Sequence, residues 1–220
     1  TKPILVDAVC PQLDGLRFFE LLPIDAHRIF VSENFCSDTS ELNEDRISKS
    51  LRSYVERRGW KIKTMERQEK NALPMPLTAE SVRTSVTGEA LLIGARGGYF
   101  HSTTCQSLAD TVRFAEHLAK LQELTTNSAR DSLMRFRRSW LSRQRFYRLV
   151  NRLIFNASEP TLRYQVLQRF YELPTEMLAR FQGGRTSWAD RLRIITGKSP
   201  LPFKKAVRHF TERSAQDRHL

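Results

Sequence analysis

The chain has 220 residues, with 36 Lys+Arg against 24 Asp+Glu and a formal net charge of +12. Hydrophobic residues make up 40%, enough for a packed core in one domain or two small ones, so wholesale disorder is excluded. Three widely separated cysteines, Cys10, Cys36 and Cys105, exclude a disulfide framework and a zinc ribbon; the five histidines form no metal-ligand spacing. No apolar run approaches the ~20 residues that span a bilayer, and the first residues carry no signal-peptide pattern.

The first third reads as β structure. Ile4–Val9, Leu16–Leu22 and Arg28–Phe35 are short apolar runs separated by turn chemistry at Pro11–Gly15 and Pro23–His27, the pattern of an antiparallel meander. Asp38 with Glu41 predicts a capping box for a helix carrying Ile47, Leu51, Tyr54 and Val55, stopped by Gly59. The alternation in Trp60–Arg67 predicts a further strand, and Leu73–Leu77, with two prolines, must be extended.

Ala90–Gly94 reads as a buried strand. A glycine cluster (Gly94, Gly97, Gly98), a hydroxyl-rich segment to Ser107 and a helix over about 108–124 follow. Such a layout either brings a helix N-terminus to a phosphate or cofactor or is an ordinary strand-turn-helix connection. From Thr125 onward the sequence predicts helices. The long one spans roughly 130–155, with Leu133, Phe136, Trp140, Tyr147, Val150 and Ile154 on one face and Arg135, Arg138, Arg145, Arg148 and Arg152 on the other. Further helices begin near Ser158–Pro160, Pro174–Glu176 and Thr186–Ser187, where Ser187 and Asp190 have capping-box spacing. Gly197–Pro202 stops the last, and Thr211–Leu220 is polar and expected to fray.

Charge is segregated. Residues 1–110 hold 14 basic and 15 acidic groups, whereas residues 111–220 hold 22 and 9. The arginine stripe admits three readings: a solvated face, a surface for anionic membrane, or a nucleic-acid contact. The last is ranked lowest because helix-turn-helix, zinc-finger and RRM patterns are all missing. Glu33 lies in the third strand, where alternation alone leaves its face undecided. His101, beside the glycines, is either a cofactor-side residue or a hydrogen-bonded structural histidine.

Taken together, several segments resemble the bacterial lycopene β-cyclase family. They are Pro11–Phe18 with Leu22-Pro23, Arg28–Asn34, Gly59-Trp60, Ala72–Pro74, Gly94–Thr104, Leu149–Phe155, Arg169–Pro174, Arg180–Gly184 and Asp190–Pro202. The likeness covers roughly residues 3–205. It implies an α+β chain from the C-terminal part of an FAD/NAD(P)-binding fold similar to FAD-dependent hydroxylases and geranylgeranyl reductases. Residues 1–88 would then belong to the substrate domain, 89–124 to the strand and helix returning to the flavin, and 125–220 to a helical tail. The family's dinucleotide fingerprint would lie ahead of Thr1, so the chain is expected to be a piece of a longer protein.

The resemblance also implies lycopene or a related carotenoid as substrate, FAD and NADPH as cofactors, and acid-catalysed ring closure with no net redox change, an isomerase (intramolecular lyase) reaction. A carboxylic acid would protonate the polyene. Ser32 stands where the family carries that acid and Glu33 follows it; Glu33 is the candidate acid, although strand alternation would turn it away from that face. Gly97, Gly98, His101, Ser102, Thr103 and Thr104 are the candidate cofactor side, in a segment where Ser102, Cys105, Gln106 and Ala109 depart from the family pattern. An apolar substrate favours membrane for the arginine stripe, and hence a cytoplasmic protein peripheral to the inner membrane, with no nucleic acid. The alternatives are a non-catalytic or divergent membrane- or isoprenoid-binding homologue and a basic nucleic-acid-binding helical module.

Overall fold

The computed structural model describes residues 2–39, 41–81, 86–87, 90–123 and 125–196. The expected stop at Gly197–Pro202 and the polar stretch Thr211–Leu220 lie outside the described residues. The architecture is α+β, a three-stranded antiparallel sheet and a helical tail. It divides into two compact units, Thr1–Ala72 with Glu159–Leu167, and Leu73–Ser158 with Gln168–Leu220.

In the first unit the expected meander forms, with β1 (Ile4–Asp7), β2 (Gly15–Pro23) and β3 (Ile29–Ser37) in that order. The β2–β3 register runs unbroken from Gly15 opposite Ser37 to Pro23 opposite Ile29. Gly15 is required by close approach, because a Cβ there would stand 2.4 Å from the Cys36 carbonyl oxygen. Ahead of β2, the Gln12 side chain behaves like a strand residue. Its Nε2 donates to the Arg17 carbonyl at 2.7 Å and its Oε1 accepts from the Arg17 amide at 3.0 Å. Alternation sends Phe19 and Leu21 to one face, where they pack with Tyr54 of α1 (Glu44–Glu56), Leu51, Val31 and Trp60.

Two expectations fail in this unit. The cap of α1 is Asn43, whose side chain accepts from the Arg46 amide, rather than Asp38. Asp38 is taken instead by the buried Arg163, whose Nη2 contacts both carboxylate oxygens at 2.9 and 3.1 Å while Nη1 reaches the Cys36 carbonyl. Trp60–Arg67 is not a strand. Alternation builds a strand only where a neighbour takes its backbone hydrogen bonds, and here Ile62 and Met65 stay exposed.

In the second unit the expected buried strand at Ala90–Gly94 is shorter and is not buried, with Ala90 and Ile93 exposed. Only Ala90–Leu91 (β5) pairs, with Val86–Thr87 (β4), and a 3-10 turn takes over at Gly94–Gly97. Two helices follow, α2 (Leu108–Leu118) and the 32-residue α3 (Thr126–Ala157). Thr125 and Ser128 close a reciprocal capping box on α3. After α4 (Arg163–Tyr171), two short helices, α5 (Thr175–Gln182) and α6 (Trp188–Thr196), complete the described residues. The capping box expected at Ser187 and Asp190 forms, each side chain accepting from the other's backbone amide. Asp190 is also held bidentately by Arg180 at 2.7 and 2.8 Å, and that hydrogen-bonded guanidinium, ahead of the Ser187 bonds, keeps its carboxyl well below the usual carboxylate range.

The apolar face of α3 serves two clusters. Leu133, Phe136 and Trp140 pack with Tyr99 and Phe114; Phe146, Tyr147 and Val150 pack with Phe181, Phe170 and Ile194. The arginine stripe divides. Arg135, Arg138 and Arg145 are exposed, but Arg148 and Arg152 are buried. Arg148 donates to the Leu141 carbonyl, and Arg152 donates to the Leu77 carbonyl at 2.6 Å. Asn151 reaches the Pro76 carbonyl at 3.0 Å, so the proline segment meets the C-terminal half of α3 at Asn151 and Arg152.

Candidate functional site

The two sequence-derived candidate regions fall in different units. In the first, the β2–β3 register decides where each carboxylate points. Glu33 stands opposite Phe19 and Ser32 opposite Glu20. Glu33 therefore shares the helix-covered face with Phe19, Leu21 and Tyr54. Its side chain is 1% exposed, and its Oε1 accepts from Arg17 Nε at 2.6 Å. Arg17 is held further by the Pro11 carbonyl and Ser50 Oγ. Glu33 Oε2 is buried with no partner.

Ser32 points to the other face. Its hydroxyl donates to Glu20 Oε2 at 3.0 Å and accepts from Asn34 Nδ2 at 2.9 Å. Glu20 stands outside the motifs that single out candidate residues in the sequence; its signal there is its place in an alternating strand whose neighbours Phe19 and Leu21 are apolar.

In the second unit Gly97–Ser107 folds back on itself. A Cβ on Gly97 would stand 2.3 Å from the Leu92 carbonyl oxygen, and Gly98 has φ +78°. His101 is buried; its Nε2 donates to the Phe181 carbonyl at 2.9 Å and its Nδ1 accepts from the Thr103 and Thr104 amides at 3.2 and 3.1 Å. Both ring nitrogens are thus used by a neutral imidazole, and burial pushes its pKa down from 6.5 to about 4. The Ser102 peptide is gripped by α3 from both sides, its amide donating to Gln144 Oε1 at 2.9 Å and its carbonyl accepting from Asn151 Nδ2 at 2.7 Å. Thr103 Oγ1 donates to the Tyr147 carbonyl. The hydroxyls of Ser102 and Thr104 are buried without a partner, and no side chain caps the first turn of α2. Cys105 adopts φ +58°, so the family departure at that position puts a side chain into a left-handed conformation.

Among the described residues, no group of His, Cys, Asp and Glu is arranged to hold a metal ion, and no helix is long and apolar enough to cross a membrane. Over residues 1–208 the chain matches the family described as Lycopene cyclase protein, and it belongs to that family. It is 33% identical to the lycopene beta-cyclase of Pantoea ananas, over 94% of this chain and 54% of that protein. It is 35% identical to that of Paracoccus sp. (strain N81106 / MBIC 01143), over 96% and 55%, and 32% identical to that of Pseudescherichia vulneris, over 97% and 56%. The chain thus spans about half the length of the curated relatives it matches. No solved structure matches it significantly.

Two outcomes follow from the loop. Cys105→Gly relieves the left-handed backbone and raises stability by about 1 kcal/mol; an unchanged or lower urea midpoint would contradict this. Because His101 is held neutral, the unfolded chain binds more protons between pH 6.5 and about 4, so stability falls as pH drops through that window. Relative to His101→Gln, the wild type loses roughly 3 kcal/mol across it, measurable by denaturant unfolding at each pH.

Proposed function

We propose that the chain is the C-terminal part of a lycopene β-cyclase, which closes the ends of lycopene into β-ionone rings to give β-carotene. The carrying observation is 32–35% identity, over at least 94% of this chain, to three proteins named lycopene beta-cyclase. The substrate is a hydrocarbon, so ring closure begins with protonation of an end-group alkene by a carboxylic acid shielded from water. The final proton loss makes the reaction an isomerisation, with no net redox change.

In this reading the fold is of the FAD-dependent hydroxylase and geranylgeranyl reductase kind. Residues 1–88 contribute to the substrate domain, 89–124 return to the flavin, and 125–220 form the helical tail. The loop fits a flavin dinucleotide through particular groups. Ser102 Oγ and Thr104 Oγ1 are the buried hydroxyls of this loop left without partners, and the uncapped first turn of α2 offers amides. Gly97, Gly98, His101 and Thr103 shape the loop, since the Thr103 and Thr104 amides are consumed by His101. Bound there and kept reduced by NADPH, FAD would supply negative charge beside the cationic intermediate.

A peripheral position on an anionic inner membrane gives access to a lipid-dissolved polyene. Arg135, Arg138 and Arg145, exposed on α3, would meet the headgroups.

Expression of the full-length protein in lycopene-accumulating bacteria is expected to convert red lycopene into β-carotene, and persistent lycopene would defeat the assignment. Replacing Arg135, Arg138 and Arg145 together by Gln is expected to weaken binding to phosphatidylserine-containing vesicles roughly 100-fold, at about 1 kcal/mol per arginine. Unchanged vesicle binding would return those arginines to the role of solvated helix surface.

A further inference from the structure

We propose that Glu20 is the proton donor of the cyclisation, a role that rests on the function proposed above. The reaction needs a carboxylic acid that a rod-like hydrocarbon can touch. Of the two carboxylates carried by the paired strands β2 and β3, Glu33 fails that requirement. It lies on the face covered by α1, its side chain is 1% exposed, and the Arg17 guanidinium sits 2.6 Å from Oε1. Its second oxygen lacks a partner, but it is sealed in the same place. Removing Glu33 would strand the Arg17 charge under α1, which gives this carboxylate a structural task.

Glu20 meets the requirement. It is half-buried on the opposite face, directly across the ladder from Ser32, whose hydroxyl donates to Glu20 Oε2 at 3.0 Å. Asn34 Nδ2 donates to Ser32 Oγ, so a short hydrogen-bonded chain fixes the orientation of the carboxyl group. Among the described residues no cation pairs with Glu20. Its surroundings on this face are apolar. Leu22 and Phe30 form the next cross-strand pair and are 37% and 46% exposed, Phe18 is half-buried, and Leu5 of β1, on this side by alternation, is 60% exposed. Open aromatic and aliphatic side chains around one uncompensated carboxyl suit a polyene end group, which has neither charge nor hydrogen-bonding atoms to offer.

The Glu20 carboxyl proton goes to the CH carbon of the end-group alkene, whose π pair forms the new C–H bond and leaves a tertiary carbocation at the dimethyl-bearing carbon and a Glu20 carboxylate. The π pair of the internal alkene closes the six-membered ring on that cation. A ring proton is then lost to solvent water, its C–H pair forming the ring double bond, and Glu20 regains a proton from solvent. Ser32 acts as a positioning residue, holding the Glu20 oxygen that faces it. The carboxyl group that the family resemblance places at Ser32 is thus supplied from the neighbouring strand, one cross-strand step away on the same face.

The test compares the full-length wild type with Glu20→Gln and Glu33→Gln in lycopene-accumulating cells, with the purified proteins checked for folding by circular dichroism and for lycopene uptake by the shift of the polyene absorption bands. Glu20→Gln is expected to fold, take up lycopene and lose at least 100-fold in cyclised product. Adding Ser32→Glu to Glu20→Gln, which returns a carboxyl group to the same face, is expected to restore product, a rescue that a merely structural role for Glu20 would not give. An active wild type with a Glu20→Gln variant that keeps its product within tenfold overturns the role of Glu20 alone, as does loss of product only in a folded Glu33→Gln. A silent wild type defeats the proposed function itself, and the role of Glu20 falls with it.

Discussion

The second unit depends on how α3 satisfies a buried loop. A peptide group sealed from water costs about 1–3 kcal/mol if left without a partner. The Ser102 peptide, wholly buried, finds one partner for its amide in Gln144 and one for its carbonyl in Asn151. Those residues are seven apart, two turns along one face of α3. Gln144 is in turn tied to the buried Asp110, which also accepts from Trp140 Nε1 and Arg113. One helix therefore carries both the apolar contacts with Tyr99 and Phe114 and the polar contacts that set the loop. A network of this kind is stable only when complete, which links the loop's conformation to the helix register.

In the first unit the equivalent constraint is the uninterrupted β2–β3 ladder. Because side chains alternate strictly, one register separates Glu33 with Arg17 from Glu20 with Ser32. A slip of β3 by one residue against β2 would bring Glu33 onto the Glu20 face and carry Val31 off the face packed against α1. Two carboxylates on adjacent strands thus acquire opposite environments, one ion-paired beneath a helix and one among open apolar side chains.

Much of the backbone plan was legible in the sequence, and the reasons are local. The three strands are bounded by proline and glycine turns, Thr125 and Ser187 sit at helix starts, and α3 has a long apolar period. The misreadings share another cause. Trp60–Arg67 has strand alternation but no neighbour to pair with among the described residues, Asp38 has cap chemistry but is claimed by Arg163, and Arg152 has the spacing of a solvated face but is buried and donates to Leu77 of the proline segment. In each case the presence or absence of a partner distant in sequence outweighed a local signal.

The candidate site follows the same division. By itself, the sequence determined the strand order, the helical tail, the glycine turn before α2 and, through its motifs, a family whose match covers residues 1–208. Each of these is written in neighbouring residues: turn chemistry, periodicity and motif spacing. Only the tertiary structure decided which carboxylate faces α1 and which faces outward, that His101 is locked by Phe181 rather than free, and that two of five arginines are buried. Those outcomes depend on strand register and on contacts between residues tens of positions apart, and no local pattern encodes them.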